Sequence, residues 1–123
     1  MIMIHPKQTI YGKLPSKSNA YKIVTLYGHG SLAKQKVVKE YEKSFYLQCG
    51  LRNAHIKGFF KISVDVYHEN MRPDLDNGMK ILLDCLQGCK AIKNDRNCVE
   101  IHARKLIDKN NPRVEFVIEE VEL

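Results

Sequence analysis

Apolar and polar positions alternate from Phe60 to Tyr67: Phe60, Ile62, Val64 and Val66 fall on one side, Lys61, Ser63, Asp65 and Tyr67 on the other. Period two is the mark of a half-buried strand. The same alternation at Val99, Ile101, Ala103 and Ile107 predicts a further strand. Val114, Phe116 and Ile118 predict a last one, joined to it as a hairpin through the turn formers of residues 108–112. Between these strands the spacing changes. Leu75, Met79, Leu82, Leu83 and Leu86 recur at helical intervals and give one wide buried stripe, with Pro73 at a helix start, Asp74 as N-cap and Gly88 as stop. A first helix is predicted from Ala33, because Ala33, Val37, Tyr41 and Phe45 line one side, with Ser31 as its N-cap after Gly28-His29-Gly30. Upstream, Gln8–Leu14 and Tyr21–Tyr27 read as strands, broken by Pro15 to Asn19. Two helices with four or five strands make an α/β (α+β) fold. The expectation is a single domain over residues 1–123, with one mixed β-sheet covered by the helices.

The Phe60 strand delivers the chain to the charged stretch Arg72-Pro73-Asp74-Leu75-Asp76-Asn77-Gly78-Met79-Lys80. Asp76, Lys80 and Asp84 fall four apart on one flank of the predicted helix, and Asn94-Asp95 follow its end. Three chemistries suit this stretch. In the plainest, Asp74 is a cap, Asp76 and Lys80 form an i,i+4 ion pair, and Asp95 is a turn residue. A calcium loop fails, since its sixth position is Met79 rather than Gly and its twelfth is Cys85 rather than an acid. In the third, the acids hold Mg²⁺ or Mn²⁺, hard cations that take carboxylate oxygens and keep several waters. Lys80 then stands beside the ion as a fixed positive charge for a phosphate.

Composition adds a partner. The formal charge is +6 and the pI near 9.2, a balance that favours a polyanion. Lys36, Lys39 and Lys43 share one side of the first helix, either as a solvated face or as a surface that tracks phosphates. Cys49, Cys85, Cys89 and Cys98 lack the paired spacing of a zinc site and are expected to be small buried hydrophobes in a reduced compartment. The five histidines make no ligand spacing and are expected at the surface or in loops. No apolar run reaches transmembrane length and the start has no charged leader, which predicts a cytoplasmic protein without a membrane partner.

Asp74-Leu75-Asp76-Asn77 followed by Lys80, and by Asp95 beyond the helix, resembles the signature of the RusA family of Holliday-junction resolvases. Leu14-Pro15-Ser16-Lys17-Ser18-Asn19 also resembles that family's Pro-Ser-x-x-Asn segment, and the likeness runs from about residue 9 to the end. Two departures stand out: Leu14 occupies the place of a frequent proline, and Asn94 precedes Asp95 where an aspartate pair is usual. The resemblance implies a homodimeric endodeoxyribonuclease that cuts four-way DNA junctions by paired nicks, in recombination and repair. It implies Asp74, Asp76 and Asp95 as ligands of Mg²⁺ (or Mn²⁺), Lys80 as a further catalytic residue, and no organic cofactor. DNA contacts are expected from Lys17, Asn19, Lys36, Lys39, Lys43 and Arg72. The residues alone also permit a nuclease for other branched DNA, a domain that binds nucleic acid without cutting it, or a structural subunit.

Overall fold

The computed structural model describes residues 3–16, 21–26, 29–34 and 36–123. Four strands form the main sheet: β1 (Gln8–Tyr11), β4 (Phe60–His68), β5 (Cys98–Ile107) and β6 (Arg113–Glu120), in the order β1-β6-β4-β5. β4 and β5 run parallel and the other pairings are antiparallel, so the sheet is mixed. A separate hairpin joins β2 (Tyr21–Leu26) to β3 (His29–Lys34), Tyr21 opposite Lys34 and Leu26 opposite His29. The helices are α1 (Lys36–Gln48) and α2 (Met79–Gly88), and 3₁₀ turns at Asp76–Gly78 and Asp95–Asn97 bracket α2. This is the mixed-sheet α+β fold that the periodicities predict.

One face of the sheet makes the core. Ile10, Phe60, Ile62, Val64, Val66, Val114, Phe116 and Ile118 point into it, and Val38, Tyr41 and Phe45 of α1 with Ile81, Leu82, Cys85 and Leu86 of α2 close it. Phe45 stacks on Phe116 with ring centroids 6.1 Å apart and planes 6° from parallel. Cys49, Cys85 and Cys89 are thiols buried there, as small hydrophobes should be, whereas Cys98, expected with them, is only half-buried. The other face carries charge in pairs: Arg104 forks onto Asp65 at 2.7 and 2.9 Å, Arg113 bonds Glu115, and Lys61 reaches Glu119.

Several sequence expectations need correction. β5 and β6 are not a hairpin, because β4 lies between them. Alternation reports which side of a strand is buried and is blind to its neighbour; here α2 serves as the crossover that brings β5 back parallel to β4. β5 is therefore an edge, and Val99, Ile101 and Ile107 are exposed on it. The first helix starts at Lys36, while Ser31 and Ala33 belong to β3. Its buried stripe is Val38, Tyr41 and Phe45, with Val37 exposed, because steps of three and seven follow 3.6 residues per turn better than repeated steps of four. β1 stops at Tyr11, where Gly12 takes a φ of 113°. His68 is 4% exposed and faces the core, unlike the surface residue expected.

Candidate active site

β4 ends at His68, and residues 69–75 form a strap that leads to the 3₁₀ turn and α2. The local sequence explains the shape of this entry. Leu75 already has helical angles (φ −60°, ψ −42°), and no side chain caps either the 3₁₀ turn or α2. Asp74 is thus not the N-cap its position suggested. Its Oδ2 accepts a bond from Asn77 Nδ2 at 3.3 Å, a side-chain contact that satisfies no backbone donor. Gly78 has a different reason to be glycine: a Cβ there would stand 2.9 Å from Leu14 Cγ, and Leu14 is buried. The bare backbone lets the start of α2 close on the chain leaving β1.

Two further contacts fix the strap and its surroundings. Lys105, on β5, donates from Nζ to the carbonyls of Met71 at 3.0 Å and Pro73 at 2.9 Å, clamping the strap on both sides of Arg72. Gln87 Oε1 accepts from the backbone N–H of Asp95 at 2.9 Å, and the Asn94 side chain accepts from the N–H of Arg96 as the cap of the second 3₁₀ turn. Sequence periodicity missed Lys105, because its role depends on which strand lies beside β4. His68 is buried at the same end of β4, and among the described residues its Nδ1 has no hydrogen-bond partner. Burial, then the charges of Lys105 and Lys13, holds its pKa below the usual histidine value.

Asp74 and Asp76 are exposed, and among the described residues no cation forms an ion pair with either. Lys80 stands one turn on and is bound to acids on two sides, Asp95 Oδ2 at 2.7 Å and Asp84 Oδ1 at 3.1 Å. These bonds, the one to Asp95 foremost, push its pKa up to about 12. The lysine is a permanent cation and no base. Asp84 is its partner, as the four-residue spacing implied.

The described residues contain no group of three or more His, Cys, Asp or Glu side chains arranged to hold a metal ion. Asp95 lies on Lys80 rather than with Asp74 and Asp76. The donor chemistry still fits a hard divalent cation: Asp74 and Asp76 offer exposed carboxylate oxygens two residues apart, with no cation among the described residues paired to them. Of the DNA contacts expected, Arg72 is exposed on the strap, and Lys36, Lys39 and Lys43 are exposed along α1, with Lys36 3.7 Å from Glu40. Lys17 and Asn19 lie outside the described residues. Among the described residues no helix is long and apolar enough to cross a membrane.

The family profile of endodeoxyribonuclease RusA matches residues 14–119, nearly the whole chain and all of the strap, α2 and Asp95. No curated protein matches the chain.

Proposed function

The chain belongs to the RusA endodeoxyribonuclease family, and from that premise we propose that it is a Mg²⁺-dependent endonuclease that resolves four-way DNA junctions by paired, symmetric nicks. The observation that carries this reading is the pairing of two carboxylates, Asp74 and Asp76, that form no ion pair among the described residues, with a lysine held charged by Asp95 and Asp84 one helical turn away. Asp74 and Asp76, with Asp95, would hold the metal (Mg²⁺, with Mn²⁺ as substitute). A divalent ion in such a site lowers the pKa of its water and neutralises charge on a phosphodiester.

The side chains supply the rest. Attack on a phosphodiester builds negative charge on its oxygens, and Lys80, protonated at every working pH, offsets it electrostatically. Asp84 keeps the ammonium in place while Asp95 serves the metal. Arg72, beside the acids, and the exposed Lys36, Lys39 and Lys43 contact flanking phosphates in a salt-dependent way. Each chain has one such set of acids, and a four-way junction needs two symmetric cuts, so the working form is a homodimer with two sites related by a two-fold axis. Removal of four-way junctions belongs to DNA recombination and repair, and the cytoplasm is the proposed compartment.

The test is cleavage of a labelled four-way junction with Mg²⁺ against linear duplex of the same sequence. Asp74→Asn and Asp76→Asn should abolish cutting and leave junction binding intact or stronger, since each removes a negative charge facing phosphate. Binding without cutting by the parent protein would make this a DNA-binding domain instead. Loss of binding in a folded mutant would make the acids structural.

A further inference from the structure

A cavity of about 470 Å³ opens beside Asp74, between the strap and the chain leaving β1. Its character changes from rim to wall. Lys13 and Arg72 supply positive charge; Lys13 meets Glu69 only at 3.9 Å, and among the described residues Arg72 pairs with no acid. Leu14, Pro15, Val37 and Pro73 give apolar surface. Asn77 adds an amide, with a carbonyl oxygen and a second N–H beyond its bond to Asp74. Cations for a phosphate, apolar walls for a flat ring and an amide for a ring edge together describe a nucleotide. The volume lies in the lower part of the range for sites of one small ligand and is too small for a duplex end.

We propose that this cavity takes one nucleotide of the DNA strand, unstacked at the branch point and adjoining the phosphate presented to Asp74. The proposal rests on the nuclease reading above, because Asp74 is shared by the cavity wall and the acid pair. It gives that reading a source of selectivity. A base inside a linear duplex must lose its pairing and stacking to enter, whereas stacking is already interrupted at a branch point. Branched DNA therefore reaches the site more readily than duplex without any base-specific contact elsewhere.

The probe is a four-way junction carrying 2-aminopurine at one position beside the cleaved phosphate, each flanking position in turn, bound to the full chain in EDTA. Fluorescence should rise about threefold or more at one position, as the base leaves its neighbours, and stay flat for the same base in linear duplex. Val37→Trp fills the cavity from a half-exposed wall position that the core does not use. It should abolish the rise and slow junction cleavage by about tenfold, with duplex affinity unchanged. Should that variant misfold, Arg72→Ala, on an exposed side chain, should weaken the rise in the same direction. A flat signal at every flanking position, or a rise that survives both substitutions, overturns the proposal. A parent protein that cuts junctions while the probe stays silent overturns the cavity alone; one that cuts no DNA with Mg²⁺ overturns the nuclease reading as well.

Discussion

Lys105→Met tests whether the clamp on the strap matters to the reaction. The substitution keeps a long apolar stem and removes the ammonium that bonds the Met71 and Pro73 carbonyls at 3.0 and 2.9 Å. A hydrogen bond from a charged donor contributes about 1.5–3 kcal/mol where water is kept out. The Pro73 bond is partly buried and the Met71 bond exposed, so water replaces the second almost without loss. The net weakening of the strap is about 1–2 kcal/mol. If the acids must be held for the transition state, single-turnover junction cleavage should fall by about 5- to 30-fold. Amide exchange at residues 72–76 should quicken, because the strap opens without global unfolding. Half-saturation by Mn²⁺, followed on the protein alone by calorimetry, should move to higher concentration. A lower melting temperature with cleavage, exchange and Mn²⁺ binding unchanged would refute the reasoning and leave Lys105 a structural tie between β5 and its neighbour.

Lys80→Ala should cut the single-turnover rate by at least about tenfold, and Lys80→Arg should recover part of it, since a guanidinium keeps the charge but not the compact shape. Alanine as fast as the parent would reduce Lys80 to an ion-pair partner of Asp84 and Asp95. Gly78→Ala must push on the buried Leu14 and should destabilise the fold by about 1–3 kcal/mol in denaturant titration; an unchanged midpoint would show that Leu14 yields freely. Burial depresses the pKa of His68, so its neutral form contributes stability above the unfolded value of about 6.5 that is lost as pH falls through the folded value. The melting temperature should accordingly drop between pH 7.5 and pH 5 in the parent and drop less in His68→Leu, a difference that scanning calorimetry reads directly.

Elements whose burial is one-sided were legible in the sequence. The Phe60–Val66 alternation matches β4 almost residue for residue, and the leucine stripe places α2 with its buried Leu82 and Leu86. The family motif spans three elements, with Asp74 and Leu75 on the strap, Asp76 and Asn77 in the 3₁₀ turn and Lys80 in the first turn of α2. Pairing was not legible. The side-chain period is the same whether β5 lies beside β4 or β6, and the β2–β3 hairpin was hidden because Ser31 after Gly30 also reads as a helix start. His68 escaped notice for a related reason: it continues the inward series of Phe60, Ile62, Val64 and Val66 by one more step, and period two gives that answer once polarity is set aside. The engagement of Asp95 with Lys80 depends on how far the chain folds back after α2, which no local pattern encodes.

These non-local ties explain how exposed acids can be held in one geometry. Asp74 and Asp76 repel each other and lie outside the core, and within their own segment only the long Asn77–Asp74 bond steadies them among the described residues. What surrounds them comes from distant parts of the chain: Lys105 reaches across from β5, Leu14 seats against Gly78 from beyond β1, and Gln87 and Lys80 fasten Asp95 to the flank of α2. β4 and α2 are themselves anchored by residues of almost no exposure, among them Val66, Leu82 and Leu86. The rigidity of the buried layer is thereby passed to a charged strap through a few hydrogen bonds and one close backbone approach. A site built this way tolerates changes on its exposed face better than changes in the contacts behind it, because those contacts come from a few side chains of distant elements.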